Sequence, residues 1–252
     1  SFALASAYVP GVTAGQFSVS PGGAATYSIP IQVPPGTAGM QPGLSLSYSS
    51  QQSNANSLVG VGWALSGLSV IHRCSANYTT DGPSVPRGVN YNTNDKFCMD
   101  GQRLVVVAGV YGAAGSEYRT EKESFTKVVA EGVAGNGPAS FVAYLKSGQI
   151  VRYGNTGDSR IMPIINGVAG VTPRVWAVRS IEDRFTNNMT FTYSQDQTNR
   201  AYYPVSINYT ANTAAGTGPT SMVVFTPEPR GSGNGDQVTQ YVGAAKVKYV
   251  QR

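Results

Sequence analysis

The chain has 252 residues, of which only 12% are charged, and it carries a formal net charge of +5. Its 18 Lys and Arg residues are dispersed, so we expect no nucleic-acid partner. No apolar stretch reaches the roughly 20 residues that a helix needs to span a membrane, so we expect no membrane span. Abundant Gly, Ser, Thr, Asn and Tyr are typical of a β-rich extracellular protein rather than a cytosolic helical one.

The first strong pattern along the chain is a wide hairpin. Residues 27–33 and 44–49 alternate apolar and polar side chains, and this period of two predicts strands with one buried face. The connection between them is rich in Pro and Gly, which break regular structure. Pro30 cannot donate a ladder hydrogen bond, so we expect the first strand to lie at an edge or to carry a bulge.

Short apolar runs separated by turn residues make up the rest of the chain. Asp100-Gly101 predicts a tight hairpin, since both positions tolerate positive φ. Asn187 and Asn188 are predicted to form a later turn. The other predicted strands are residues 118–130, 140–145, 149–153, 176–181, 189–193, 204–209, 222–225 and 246–250. The sequence therefore predicts an all-β fold of antiparallel hairpins that form packed or stacked sheets, sandwich-like or shell-like, with few or no helices.

Cys74 and Cys98 are the only cysteines. An even number of cysteines in an exported β protein favours a disulfide, which would contribute roughly 3 kcal/mol by closing a loop of this length. The alternative is a pair of buried free thiols. Two Cys and one His without ligand spacing do not make a zinc site.

Few residues offer reactive chemistry. His72, the sole histidine, lies at the edge of an apolar strand, and no G-x-S-x-G motif supplies a nucleophile. Glu121 and Glu123 form an E-x-E pair of the kind found in ADP-ribosyltransferases, but strand alternation would place both on one solvent-exposed face. We therefore expect no catalytic residue, no cofactor and no metal.

A second group of residues is predicted to shape the backbone. Glycines on either side of Trp63 would let the chain pass close to the indole ring, and Trp63 itself is predicted to be a large core aromatic whose loss costs several kcal/mol. The architectural candidates are Pro34, Pro35, Gly36, Gly60, Gly62 and Trp63.

Several of these residues belong to an ordered series of motifs. The series includes Val19-Ser20-Pro21, Ile29-Pro30-Ile31, Val33-Pro34-Pro35-Gly36-Thr37, Gly39-Met40-Gln41-Pro42, Leu44-Ser45-Leu46, Tyr48-Ser49-Ser50 and Gly60-Val61-Gly62-Trp63. It resembles the SpvB-type domain family, which occurs in plasmid virulence proteins, in B subunits of insecticidal toxin complexes and in Rhs/YD-repeat proteins. The weak periodicity of residues 1–20 predicts an extended N-terminal arm. By the resemblance, residues 21–252 form an SpvB-type β domain that we expect to be incomplete at its C-terminus.

The resemblance implies a structural, non-enzymatic module of a large secreted or cell-surface bacterial toxin or Rhs-type protein. Such a module would help to form or close a β-shell around a toxic C-terminal region. Its partners would be neighbouring β-propeller or Rhs/YD-repeat domains of the same or a partner chain. One alternative is a module that binds a glycan or a host protein through exposed Tyr side chains. More remote alternatives are a hydrolase and an ADP-ribosyltransferase.

Overall fold

The computed structural model describes residues 14–52, 57–85, 88–230 and 237–252. Most of the predicted N-terminal arm, residues 1–13, lies outside the described residues. The arm's remaining residues include the strand β1 (Gln16–Val19). The described residues form three antiparallel sheets, which confirms the prediction of an all-β fold.

The first sheet contains the predicted wide hairpin. Its strands follow the order β1, β2 (Ala25–Ile31), β3 (Leu44–Ser49) and β4 (Trp63–Ser66). The expectation that Pro30 marks an edge strand or a bulge is wrong, because β2 lies between β1 and β3 and pairs with β3 without a register shift. The pairing of β1 with β2 ends at Ser28, so the missing N–H of Pro30 faces no partner strand there.

The remaining elements follow in chain order. They are β5 (Val70–Cys74), the single-turn helix α1 (Tyr78–Asp81), β6 (Lys96–Met99), β7 (Gln102–Ala108), β8 (Glu117–Thr120), β9 (Lys127–Glu131), β10 (Ser140–Tyr144), β11 (Ile150–Tyr153), β12 (Arg160–Ile161), β13 (Ile164–Ile165), β14 (Val168–Ala169), β15 (Val175–Glu182), β16 (Asn187–Gln195), β17 (Tyr202–Asn212), β18 (Ser221–Val224), β19 (Gln240–Val242) and β20 (Ala245–Val247).

An eight-stranded barrel lies at the centre of the molecule. Strands β5 to β11 follow one another around the ring, and β15 closes it by pairing with both β11 and β5. The strand β15 also continues the sheet beyond the barrel, because residues 175–177 pair with β5 while residues 180–182 pair with β16. Strands β17 and β18 extend this outer sheet, and a small third sheet has the order β14, β13, β20, β19.

Aromatic side chains fill the barrel. Phe97 packs edge-to-face on Phe141 and Trp176, with ring centroids 5.4 Å away in both cases, and it stacks on Tyr111 at 5.3 Å. Trp176 is completely buried, and its indole N–H donates to Pro138 O at 3.2 Å. A closed barrel of eight strands leaves an interior just wide enough for side chains, so this one is a packed core rather than a channel.

Two local predictions are wrong. The predicted strand 118–130 is two strands, β8 and β9, because Phe125 adopts a positive φ of 56° in the connection between them. The turn predicted at Asn187 and Asn188 instead occupies residues 183–186, with Thr186 at φ 63°, and both asparagines belong to β16. The Asp100-Gly101 hairpin has the predicted conformation, with φ values of 48° and 79°.

Candidate functional site

The Pro-Pro-Gly segment connects the first sheet to the outer sheet. The carbonyl oxygen of Pro34 accepts a hydrogen bond from the buried Tyr209 hydroxyl at 3.0 Å. Two residues later, the Gly36 N–H donates to Gln41 Oε1 at 2.9 Å. A Cβ on Gly36 would lie 1.9 Å from Met40 O, so only glycine fits the tight turn that follows Pro35. The segment therefore fixes the position of the loop that delivers Met40 to the core.

Of the two glycines that were predicted to pass close to the Trp63 ring, Gly62 instead lies close to the ring of Tyr48. Gly62 has φ 79°, and a Cβ there would lie 2.7 Å from the ring of Tyr48. Gly60 also has a positive φ, of 98°, but no atom of the described residues would lie within 4 Å of a Cβ there. Trp63 is half-buried, lies outside the main buried cluster and packs against Tyr48 with ring centroids 5.3 Å apart. We therefore expect Trp63→Ala to cost less than the loss of a fully buried aromatic.

The two cysteines join adjacent barrel strands. Cys74 in β5 and Cys98 in β6 form a disulfide with an S–S distance of 2.07 Å and a Cα–Cα distance of 5.9 Å. His72 pairs with Cys98 across the same two strands. The bond therefore reinforces the barrel wall beside the sole histidine.

The reactive residues considered from the sequence do not converge. His72 is half-buried, with its Nδ1 2.9 Å from Arg73 O. Glu121 and Glu123 lie in the exposed connection between β8 and β9, not on one strand face as predicted. Glu121 Oε1 accepts a hydrogen bond from Thr80 Oγ1 at 3.2 Å, and Glu123 accepts one from the Phe125 N–H. Within the described ranges, no group of three or more His, Cys, Asp or Glu residues could hold a metal ion.

Most of the tyrosines that could have lined a binding face are not exposed. The residues considered are Tyr48, Tyr78, Tyr91, Tyr111, Tyr118, Tyr144, Tyr153, Tyr193, Tyr202, Tyr203 and Tyr209. Of these, only Tyr78 and Tyr144 are exposed, while Tyr118, Tyr153 and Tyr209 are among the most deeply buried side chains. The tyrosines therefore serve mainly as core residues.

A buried ion pair at one end of the barrel is the most organised polar cluster. The Arg73 guanidinium donates to Asp95 Oδ2 at 3.0 Å, and both side chains are at most 1% exposed. Arg73 also donates to the carbonyl oxygens of Pro173, Asn92 and Asn136. A Cβ on Gly137 would lie 2.5 Å from Arg73 Nη2, so the chain approaches the guanidinium closely there.

The surroundings of Arg73 explain why it is tolerated inside the barrel. Burial lowers the pKa of Arg73, while the charge and the hydrogen bond of Asp95 oppose this shift. Asp95 also accepts the backbone N–H groups of Asn90 and Tyr91 at 2.8 and 2.7 Å. The guanidinium lies 5.5 Å from the Phe97 ring centroid, within the range of a cation–π contact. These contacts tie three loops to the barrel, which is an architectural role.

Sequence reasoning missed Arg73, although a signal was present. Ile71 and Arg73 are two residues apart in β5, so they share one face of the strand, and Ile71 is completely buried. An arginine on the inward face of an apolar strand indicates a buried partner.

Several outer strands have an unpaired edge. Among the described residues, β1 and β18 each pair with one strand, and their exposed apolar side chains include Phe17, Val19, Met222 and Val224, all more than half exposed. Unpaired strand edges with apolar side chains favour pairing with a further strand.

Comparison with known proteins identifies the family. The family described as "SpvB: Salmonella virulence plasmid 65kDa B protein" matches residues 19–216. The chain belongs to the SpvB family. No curated protein gives a significant match. As a module of the SpvB family, the chain is toxin-related. No helix among the residues that the structure describes has the length and apolar character needed to cross a membrane.

Solved structures show the same SpvB fold. The TcdB2-TccC3 crystal structure has a TM-score of 0.72 at 16% identity over 99% of this chain and 14% of that chain. The Photorhabdus luminescens Tc holotoxin pore has a TM-score of 0.66 at 18% identity, covering 95% of this chain and 13% of that one. The N-terminal domain of the effector SpvB from Salmonella typhimurium strain LT2 has a TM-score of 0.60 at 19% identity, covering 88% and 84% respectively. The SpvB-type chain described here thus spans only a small part of the toxin-complex chains.

Proposed function

We propose that the chain is a non-enzymatic structural module that helps to form or close a β-shell around a toxic C-terminal region of a secreted or cell-surface protein. The observation that carries this proposal is the combination of a filled barrel with two apolar strands, β1 and β18, that each have one edge unpaired among the described residues. The barrel supplies a rigid body, and the edges supply backbone N–H and C=O groups that can continue a larger sheet. The partners would be neighbouring β-propeller or Rhs/YD-repeat domains.

The distribution of polar groups supports a non-enzymatic role. Asp95 accepts hydrogen bonds from Arg73 and from two backbone N–H groups. Asp100 accepts hydrogen bonds from Ser69 Oγ at 2.6 Å and from the Val70 N–H at 2.8 Å. These two carboxylates are therefore occupied by structural hydrogen bonds. Purified chain is expected to show no NAD hydrolysis and no glycosidase activity, and turnover above that of a heat-denatured sample would overturn this part of the proposal.

Protease protection tests the shell role directly. The experiment uses the protein in which this chain is followed by its own downstream sequence. We expect the C-terminal region to resist trypsin in the wild type and to become cleavable when Met222 and Val224 of β18 are both changed to Lys, since edge lysines block strand pairing.

A charge-matched control separates edge pairing from a general effect of added charge. Val107→Lys combined with Val110→Lys adds the same two charges at residues that are 55% and 72% exposed but do not belong to an outer edge strand. This control is expected to retain protection. Equal protection in all three proteins, or equal loss in both variants, would contradict the role of β18 in closing a shell.

A further inference from the structure

A cavity lies where the barrel meets the C-terminal segment, apart from the edges assigned above. It has a volume of about 170 Å³. Its wall includes Val70, His72, Arg174, Tyr202, Val242 and Tyr249. Since a water molecule in the liquid occupies about 30 Å³, the space is large enough for a small organic molecule.

Arg174 gives this cavity a positive charge that no carboxylate of the described residues pairs with. Its side chain makes one hydrogen bond to the described residues, from Nη2 to Arg200 O at 2.9 Å, and its buried Nε has no partner among them. The residue is only 7% exposed, and no carboxylate of the described chain lies within 4.0 Å of it. Arg73, which also lines the cavity, is compensated by Asp95. A buried guanidinium without a counter-charge is costly, so a bound anion would relieve that cost.

Two further side chains on the wall have polar atoms available. His72 directs Nδ1 to Arg73 O, which leaves Nε2 without a hydrogen bond to the described residues. The Tyr202 hydroxyl likewise makes no hydrogen bond with the described part of the chain, although Tyr202 is only partly exposed. Arg174 and Tyr202 both offer donors that suit a carboxylate oxygen.

The rest of the wall is apolar. Val70 and Val242 line it together with the rings of Tyr202 and Tyr249. A cationic group with apolar walls favours an organic anion over a strongly hydrated inorganic one, because the apolar part of the ligand also leaves water. We propose that this cavity binds a small organic carboxylate, with its carboxylate group at Arg174 and its apolar body between the valines and tyrosines.

Binding here would join separate parts of the fold. Val70 and His72 belong to the barrel strand β5, Tyr202 begins β17, and Val242 ends β19 in the C-terminal segment. Tyr249 packs edge-to-face on Tyr203, whose hydroxyl accepts the Val250 N–H at 3.0 Å. A ligand in the cavity therefore touches both the barrel and the C-terminal segment, and it stabilises their contact.

Titration with benzoate tests the proposal on the whole chain, followed by NMR chemical shifts. We expect saturable shifts at residues around the cavity, and at least tenfold weaker binding to Arg174→Met. Replacing an unpaired buried cation by a residue of similar volume should not prevent folding. Tyr202→Phe, which keeps the ring, is expected to weaken binding several-fold. Arg152→Met removes an exposed arginine outside the cavity and is expected to bind like the wild type.

Two control ligands test which features of benzoate the cavity recognises. Benzyl alcohol matches benzoate in shape but has no charge, so equal affinity for both would show that Arg174 does not recognise a carboxylate. Inorganic phosphate binding as tightly as benzoate would contradict the role of the apolar walls. The absence of saturable binding to the folded wild type, or equal affinity of the Arg174→Met and Arg152→Met variants, would overturn the proposal.

Discussion

Single residues inside the barrel hold the surrounding loops through charge and shape. Arg73 binds three backbone carbonyl groups and Asp95, so one side chain fixes the loops that contain Asn92, Asn136 and Pro173. A buried ion pair adds little net stability as a whole, but removing one member leaves the other charge without compensation.

Asp95→Asn is therefore expected to lower the free energy of unfolding by about 3–5 kcal/mol. The amide cannot neutralise Arg73, and one of its two polar atoms is a donor facing other donors. Urea denaturation measures the change. Glu117→Gln is the control, since its ion pair with Lys127 is about one-third exposed and such pairs contribute at most about 1 kcal/mol. Equal effects of the two substitutions would show that burial of the Arg73–Asp95 pair is unimportant.

Alanine substitutions at Gly60 and Gly62 distinguish the cost of backbone strain from the cost of a steric clash. Both have positive φ, so Ala at either position is strained by about 1–2 kcal/mol. Only Gly62 faces a ring, that of Tyr48, so Gly62→Ala is expected to cost a further ~1–3 kcal/mol from overpacking. Thermal unfolding of both variants gives the comparison, and a Gly60→Ala variant that is the less stable of the two would contradict it.

Strands and turns depend on a few cross-links between neighbouring elements. The Cys74–Cys98 disulfide connects β5 to β6 over a sequence separation of 24 residues that includes α1. Two aspartates organise the turns of the outer sheet. Asp183 accepts the N–H groups of Phe185 and Asn187, and Asp196 accepts those of Thr198 and Asn199.

Removal of the disulfide in a Cys74→Ala, Cys98→Ala double variant is expected to lower the free energy of unfolding by about 3 kcal/mol, because the unfolded chain gains the freedom of an open loop. Urea denaturation with and without reductant measures this. The reductant should shift the wild-type midpoint and leave the double variant unchanged. A wild-type midpoint that does not respond to complete reduction would contradict the expected contribution.

The turn at Asp196 predicts a dependence on acid pH. Burial raises the pKa of Asp196, but the hydrogen bonds from Asn199 and Thr198 outweigh burial and hold its pKa below the ordinary value of 3.8. Because the folded pKa is depressed, its stabilising contribution is complete above the unfolded value and is lost as the pH falls through the folded pKa. Asp196→Asn should flatten the stability curve below about pH 4. A carboxyl pKa above 3.8, measured by carbon NMR, would contradict this.

The whole molecule depends on β15, which closes the barrel and begins the outer sheet. The Ala177 N–H donates to Ser159 O on one side, and the Val178 N–H donates to Ser69 O on the other. Hydrogen bonds on both edges and complete burial of Trp176 and Val178 indicate that β15 opens only when the whole fold opens.

Amide hydrogen exchange is therefore expected to be slowest in β15 and its barrel partners, and much faster in β18, which pairs along one edge only within the described part of the chain. NMR-detected exchange at neutral pH measures both. Protection of the Val178 amide should correspond to the global free energy of unfolding. Exchange of that amide at the rate of the β18 amides would show that the barrel opens locally.

Local features of this fold were predictable, and distant pairings were not. The Asp100-Gly101 hairpin follows from two adjacent residues. The closure of β5 on β15 joins His72 to Val175, and no local pattern reports a pairing across that separation. The turn after β15 was misplaced because Asp183 and Asn187 both suit turns, and only the buried alternation of β16 decides between them.

The sites show the same limit. The Cys pair was suggested by its number alone, whereas Arg174 follows Pro173 in a connection and carries no pattern that indicates burial. Its significance depends on Tyr202 and Tyr249, which approach it through the tertiary fold. The burial of Arg73 could have been predicted from the sequence, because Arg73 and the apolar Ile71 lie two residues apart on the same face of a strand.

The division of β15 between the barrel and the outer sheet also governs how the molecule carries mechanical load. Ladder hydrogen bonds run perpendicular to the strands, so tension applied along β16 acts on several of them in shear at the same time. Because β15 pairs with β16, it transmits that tension to β5 and β11 in the barrel wall. A force applied to the outer sheet would thus strain the closed barrel as one unit, rather than detach the outer strands one at a time.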